Sequence, residues 1–528
     1  MSEGKVLVIL EVSQKQAYIF SSNKLKDNIR NSAIIAWVTS SEFLEELAGK
    51  REGRCTYTEE ENMVYSGGGH TILQFADKKA ADALIKEATM YVLKTYPGLE
   101  LFAKQYETKS VPTPNDIETL TELLEGKKSL RRASFRHGSF GIEAADINTK
   151  EPVRTDRKET EMPKTEQERE VAVFPKGFSP AYRFEDLGGS KGDKNFIAVV
   201  HIDGNAMGKR TQKLSEKKFL GKSWDEIRKM QSDFSKAIDE DFCGAYKDMC
   251  DEISKWIGRG GEGVEELSLG YDDRGIPYFP VRRVISAGDD ICFVTEGRIG
   301  LECARIFIEK LSGRKNTIDQ EGYAACAGVV LVHQKFPFYR AYELSEMLCS
   351  NAKKFIVTNF GEEASASVSA IDWHIEMGEP GETLKDIRKQ YTALDGSHME
   401  MRPYIIKPGQ YEDQVQEERK YESFRRAICD IKGSDAAAVG KYKNLREYIK
   451  RGRQEAENYL TNNLMDDPAF TRRRPLKKEK ADEYIEGRYK YDSGIYCEIG
   501  KEESKEVRSI LFDPIEMMNT FIPIDTEV

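Results

Sequence analysis

The feature that most constrains this chain is the stretch Arg282-Arg283-Val284-Ile285-Ser286-Ala287-Gly288-Asp289-Asp290-Ile291-Cys292-Phe293-Val294. Short apolar, largely β-branched runs flank Gly-Asp-Asp, which predicts the two strands of a hairpin. Gly288 lets the backbone turn where a side chain would clash. Along a regular strand, neighbouring side chains point to opposite faces. Two adjacent carboxylates therefore serve one site only where the strand is broken, and a Gly-led turn breaks it. Gly-Asp-Asp alone is an ordinary turn sequence. A second acidic strand end upstream gives it a further meaning.

That strand is Asn195-Phe196-Ile197-Ala198-Val199-Val200-His201-Ile202-Asp203, followed by the loop Gly204-Asn205-Ala206-Met207-Gly208-Lys209. Next, apolar residues at Ile227, Met230, Phe234, Ile238, Phe242, Tyr246, Met249, Ile253 and Trp256 keep helical spacing, read here as a helix with a break. Beyond the hairpin, Leu301, Ala304, Phe307, Ile308 and Leu311 predict a second helix ending near Gly313. Tyr323 to Val332 reads as another strand. Strand, helix, hairpin, helix, strand is the order of a ferredoxin-like palm, with Asp203 and Asp289/Asp290 at neighbouring strand ends. Carboxylates gathered there would repel one another unless a hard cation joined them. Mg²⁺, or Mn²⁺ in its place, suits oxygen ligands completed by substrate phosphates. Two such ions can clamp the attacking and leaving oxygens of a nucleotidyl transfer.

Ile202 to Lys209 and Ala287-Gly288-Asp289-Asp290 resemble the two signature motifs of one family. It is the palm-polymerase large subunit of type III CRISPR effector complexes, which makes cyclic oligoadenylates from ATP. The GGDEF diguanylate cyclases are more distantly similar. Cys326-Ala327-Gly328-Val329-Val330, Tyr342-Glu343-Leu344 and Asn351-Ala352-Lys353-Lys354 also match. The resemblance implies Asp203, Asp289 and Asp290 as catalytic residues, a metal site of these with Ile202, and nucleotide contacts from Gly204, Asn205, Gly208 and Lys353. Ala287 stands where the family usually has Gly, and Asn205-Ala206 replace residues that are often acidic.

Residues 1–115 read as an α/β unit. Val6 to Val12 predicts a buried strand, Gln16 to Phe20 and Leu25 to Trp37 helical segments, Thr71 to Phe75 a strand and Ala80 to Leu93 a helix. Gly67-Gly68-Gly69 repeats the layout of the Gly-Asp-Asp hairpin without its carboxylates. It is either a plain turn or a place where backbone approaches a phosphate or base. The family carries a first, degenerate palm with such a glycine turn, which implies nucleotide contacts from Gly67, Gly68 and Gly69. Ser21 and Ser22 lie in a segment like that palm's opening motif, which implies a nucleotide contact from Ser21 or Ser22.

Residues 116–192 read as an insert. It has a short helix around Leu120, Leu123 and Leu124, a basic run from Lys127 to Arg132, and a polar, solvated stretch from Asn148 to Glu170. Residues 193–400 form the second palm, with Ala370 to His374 as its last strand. His201 and His374 read as structural histidines before ligands. Residues 401–528 turn helical: Val415 to Ile431, Ala436 to Tyr459 and Asp482 to Glu486. Arg472-Arg473-Arg474-Pro475-Leu476-Lys477-Lys478 reads as a solvated loop, with RNA or a partner subunit as the alternative.

The fold class expected is thus α+β: two ferredoxin-like palms and a mainly helical C-terminal domain. The 528 residues carry a formal charge of −10, which argues against a wholly basic nucleic-acid coat. Nine cysteines without a Cys-x-x-Cys pair suggest reduced thiols in a cytoplasmic protein. No cysteine lies between Cys55 and Cys243, so the zinc module that the family often places between its palms is not expected. None of the six histidines precedes Asp, so neither is an HD-type nuclease. No apolar run is long enough to span a membrane.

The function expected is metal-dependent conversion of ATP, or another nucleoside triphosphate, to a cyclic or linear oligonucleotide messenger in antiviral defence. A 3′-hydroxyl would attack the α-phosphorus of a second nucleotide and pyrophosphate would leave. Two alternatives stand beside it. One is a non-catalytic nucleotide-binding scaffold of a CRISPR-like complex. The other is a GGDEF-like cyclic dinucleotide synthase acting as a homodimer, although tandem palms already supply two half-sites. The sequence leaves room for an oligomer.

Overall fold

Two hairpin-centred sheets organise the chain, the first antiparallel and the second mixed, since its strands over 325–333 and 369–376 pair in parallel. The computed structural model describes residues 4–50, 54–96, 98–129, 142, 161–188, 195–376, 383–434, 436–463, 495–499 and 506–525. The first sheet holds β1 (Val6–Ser13), β2 (Met63–Gly67), β3 (His70–Phe75) and β4 (Glu100–Glu107) in the order β2-β3-β1-β4. The second holds β5 (Phe196–Gly204), β6 (Val281–Ala287), β7 (Asp290–Glu296), β8 (Ala325–His333), β9 (Ser369–Glu376) and β10 (Tyr404–Lys407) in the order β10-β9-β8-β5-β7-β6. Its β8-β5-β7-β6 core repeats the order of the first sheet. Both are ferredoxin-like palms, as the motif order predicts.

The residues of β5 from Ile197 to Ile202 are all buried, because helices cover both faces of its sheet. Helix Gly300–Ser312 lies against one face, where Gly300 meets Ala198 and Val329. Helix Phe338–Phe360 lies against the other, over Gly328. A Cβ at Gly328 would sit 2.0 Å from the Ser345 carbonyl oxygen and 2.5 Å from the Cys349 nitrogen. Both obstacles are backbone, so the helix itself would have to move. Gly328→Ala is expected to cost roughly 1–3 kcal/mol of stability, read as a lowered urea midpoint.

Helix Trp224–Gly258 runs 35 residues without a break, contrary to the break read from its sequence. Ser223 and Glu226 form a capping box at its start. Its apolar stripe keeps helical spacing throughout, and no Gly or Pro interrupts it before Gly244. There the guanidinium of Arg314 occupies the space that a side chain would fill.

Three further readings change. Residues 164–170, taken as part of a solvated stretch, belong to helix Lys164–Val173, a run of good helix formers. Its Glu170 pairs with the buried Arg282 at 2.6 Å, and its Arg169 pairs with Glu42 of the first palm at 2.7 Å. Ala370 to His374 is not the last strand of its sheet, since β10 pairs antiparallel with β9. Trp373 stacks on Tyr404 across that pair, with ring centroids 5.3 Å apart. The helix read over Ala436 to Tyr459 is two, Ala436–Ile449 and Arg453–Asn462, divided at Gly452. Helix Tyr421–Lys432 is tied to the palm through the fully buried Glu302, which accepts hydrogen bonds from Tyr421 and Arg425.

Arg472 to Lys478, the segment Asp482 to Glu486, most of the polar stretch from Asn148 and the end of the basic run, Leu130 to Arg132, lie outside the described residues. Among the described residues, no helix is long and apolar enough to cross a membrane.

Candidate active site between the palms

The register of β5 builds the site. Asp203 pairs with Asp290 of β7 and with Cys326 of β8. Directly paired residues share a face, so the Asp203 and Asp290 carboxylates face the same way. His201 and Gly328 lie two residues further along the same face. That is the face under helix Phe338–Phe360, which supplies Lys353 and Glu346. Small residues at Cys326 and Gly328 let the helix come close enough to do so.

The two hairpin turns differ in a way that fits their sequences. Gly288 is the first central residue of its turn and has φ +68°, while Asp289 follows with ordinary negative φ. The turn in the first palm has Gly68 and Gly69 at φ +58° and +77°, so both central positions need the left-handed region. A carboxylate can therefore stand at the second central position of one turn, whereas the other turn uses glycine at both.

Lys353 Nζ lies 2.8 Å from Asp203 Oδ2 and donates to the Gly204 carbonyl at 2.9 Å. Burial pulls the Lys353 ammonium down, but Asp203 beside it prevails and holds it above its ordinary range. Burial, then Asp203, pushes the Asp289 carboxyl up to about 6. The same two causes, with Asp289 added, push Asp290 up to about 8. Asp290 keeps 37% of its side chain open to the cleft but is crowded by protein elsewhere. Its Oδ1 accepts no hydrogen bond and lies 3.4 Å from His201 Nδ1. Burial lowers His201 to about 4, so it is neutral at pH 7 and packs edge-on to Tyr342. His374 lies elsewhere, on β9, beside Glu376 and Tyr391.

Among the described residues, no three His, Cys, Asp or Glu side chains converge tightly enough to form a metal cage by themselves. Mg²⁺ seldom needs one, since it keeps waters and takes substrate oxygens alongside one or two carboxylates. The undonated oxygen of Asp290 and the raised Asp289 and Asp290 carboxyls fit a place that a cation would relieve. The Ile202 side chain is fully buried on the opposite face, which leaves only its carbonyl oxygen as a ligand atom.

The loop after β5 turns through Ala206, whose φ is +58°, into helix Met207–Lys218. Gly208 is exposed in the first turn, where backbone N–H groups lack intrahelical partners and favour an anion. Asn205 is placed differently. It is buried, and its side chain donates to the Val368 carbonyl at 3.0 Å, so it braces the loop from beneath. Arg210 holds the helix down through paired contacts to Asp319 at 2.8 and 2.9 Å.

The first palm meets this site at several points that sequence reasoning missed. Gln16 Nε2 donates to Glu346 Oε1 at 2.8 Å, joining the palms beside the carboxylates. Lys15 Nζ donates to the Gly68 carbonyl and lies within electrostatic reach of Asp290, and burial lowers its pKa. Glu11 pairs with His70 as Asp203 pairs with Asp290. The first palm thus keeps one carboxylate at the equivalent position, neutralised by Lys128 at 2.7 Å. Gln14, just after β1, and Ala206, just after β5, both take left-handed φ before a helix, so the two palms repeat the same strand-to-helix connection. Ser21 is exposed and accepts from Asn31 at 3.3 Å, and no recorded hydrogen bond ties it to the carboxylates. Ser22 is buried.

No family model and no curated protein matches this sequence. Solved structures do match, among them structures of Csm1, the palm-polymerase large subunit of type III CRISPR-Csm complexes. One is a Csm1–Csm4 cassette in complex with pppApApA, at TM-score 0.53 and 15% sequence identity. A second is the cassette in complex with cA4, at 0.51 and 13%. A third is Csm1 in T. onnurineus, at 0.52 and 14%. Each match covers 98% of this chain and 70% of the other. At such identities the likeness is one of fold, and it is the fold that the two motifs imply.

Proposed function

We propose that this chain joins adenosine nucleotides, taking ATP to a cyclic or linear oligoadenylate with release of pyrophosphate. The observation that carries this reading is the shared face of Asp203 and Asp290, with Lys353 and the start of helix Met207–Lys218 at the same strand end. The Csm1 fold supports it, since matching structures are described with pppApApA and cA4 bound.

Each residue then has a task. Asp203, Asp289 and Asp290 would hold Mg²⁺ or Mn²⁺. When bound, such an ion offsets phosphate charge and makes the 3′-hydroxyl more acidic. Lys353 exchanges Asp203 for triphosphate oxygens of the donor nucleotide. The first-turn N–H groups around Gly208 take further phosphate oxygens. The Gly68–Gly69 turn, with Lys15 across it, presents the acceptor nucleotide from the first palm. The rate then comes from alignment and charge compensation. No side chain of the site need act as general base if a bound cation acidifies the hydroxyl, and His201 is buried beneath Asp290.

The test is incubation with each labelled nucleoside triphosphate and Mg²⁺ or Mn²⁺, followed by pyrophosphate assay and product chromatography. It is run with the chain alone and with a Csm4-type subunit and guide RNA. Linked adenosine products support the reading. Nucleotide binding without product under any condition favours the scaffold alternative, and a cyclic guanosine dinucleotide favours the GGDEF-like one. Lys353→Ala is expected to weaken ATP binding about tenfold or more, the usual scale for a lost charge-assisted contact. Equilibrium binding of labelled ATP at fixed salt would show it.

A further inference from the structure

Helix Trp224–Gly258 touches both turns with one polar stripe. Ser235, Asp239 and Cys243 are spaced four apart and so lie on one side of the helix. Ser235 Oγ donates to the Ser66 carbonyl at 3.1 Å, at the edge of the first palm's glycine turn. The Tyr65 hydroxyl is its second partner. A Cβ at Gly67 would stand 3.0 Å from Ser235 Oγ, so this helix lies close against the first glycine of that run. One helical turn on, Asp239 Oδ1 accepts the Gly288 N–H at 3.3 Å, inside the Gly-Asp-Asp turn of the second palm. A turn further, Cys243 Sγ meets Ser286 Oγ at 3.5 Å and accepts from Arg283 at 3.6 Å on β6. Arg283 and Arg169 lend positive charge to Asp239.

We infer that this helix is a spacer that fixes the distance between the two turns, with Ser235 and Asp239 as positioning residues for the reaction. A helix rises about 1.5 Å per residue, so the two anchor points are held roughly 6 Å apart along a stiff rod. Two nucleotides presented by separate palms react only if their relative placement is held, and a shift of about 1 Å can cost roughly a hundredfold. Contacts such as Gln16 with Glu346 join the palms elsewhere, but they do not tie one turn to the other. Two hydrogen bonds from one rod to the two turns do so. The inference rests on the proposed nucleotidyl transfer for its effect on rate, but its structural part stands without it.

The full chain is compared as wild type, Ser235→Ala, Asp239→Ala, Asp239→Asn and the double alanine variant. Amide hydrogen exchange is followed over residues 63–70 and 286–291 in the absence of nucleotide, and kcat and KM for ATP are measured in parallel. Ser235→Ala is expected to speed exchange in both turns although its bond reaches only the first, and Asp239→Ala to do the same from the other side. Each is expected to lower kcat about tenfold with KM changed less than about twofold, and the double variant to be no slower than the worse single one, as for residues acting as a unit. Asp239→Asn keeps an acceptor oxygen and should stay near wild type. Exchange changes confined to the turn beside each substitution would overturn the spacer, as would losses that multiply in the double variant. If the wild type makes no product under any condition, the nucleotidyl-transfer reading fails, and the exchange result alone decides the spacer.

Discussion

Asp203→Ala is expected to lower product formation by roughly a hundredfold to a thousandfold, while leaving the fold and most ATP binding in place. Asp203 is at the open end of β5, paired with Asp290 on one side and Cys326 on the other. Its loss removes a ligand oxygen and also releases Lys353, now 2.8 Å away, from its resting partner. ATP would keep Lys353 and the helix start near Gly208, so binding should fall little. Only stabilisation of the reacting phosphorus is lost, and a single such group is commonly worth about 10²–10³ in rate. Asp289→Asn with Asp290→Asn tests the same point from the turn. Both substitutions keep size and hydrogen-bonding shape but remove the charge that a cation requires. Pyrophosphate release and product chromatography read both variants. Unchanged products in either would move the chemistry away from this strand end.

The parts of this structure that were legible are those in which local pattern and tertiary role agree. β5 to β8 are buried on both faces, and their apolar runs announce them. β4 and β10 went unread because their sequences are weakly patterned or short, not because they are edge strands, since β6 is one too. In Glu100 to Glu107 the apolar run Leu101 to Ala103 is cut short by Lys104 and Gln105, and Tyr404–Lys407 has only four residues. Asp203, Asp289 and Asp290 could be picked out because a turn or a strand end is a local event. The shared face of Asp203 and Asp290 needed the register, which no single segment carries. Lys15, Gln16, Asp239 and Glu346 could not be picked out. Each is an ordinary polar residue on a helix, and only packing between distant segments brings it to the site. Asn205 shows the reverse. Its place in a motif pointed to nucleotide, whereas its side chain is turned inward to Val368.

Cation binding at this site is expected to strengthen about a hundredfold between pH 6 and pH 8. Without a cation the Asp289 and Asp290 carboxyls stand at about 6 and about 8. At pH 7 the pair therefore holds about one proton, and an incoming cation must displace it. One proton lost per ion gives about a tenfold gain in affinity per pH unit across that window. Above about pH 8 the gain levels off, because both groups are already ionised. Mn²⁺ titrated by spin resonance with a non-hydrolysable ATP analogue measures the slope, and calorimetry in buffers of different ionisation heat counts the proton. Stability runs the opposite way with pH. The folded protein holds these protons more tightly than the unfolded chain, whose aspartates titrate near 3.9. The pair's contribution is therefore fully present below about pH 4 and is lost as pH rises towards 8. Asp290→Asn should remove most of that loss and raise the melting temperature at pH 8 more than at pH 5. Mg²⁺ with the ATP analogue should do likewise for the wild type, because a ligand that binds only the folded state stabilises it. A cation affinity indifferent to pH would mean that the ion does not rest on Asp289 and Asp290, whatever the fate of Asp203→Ala.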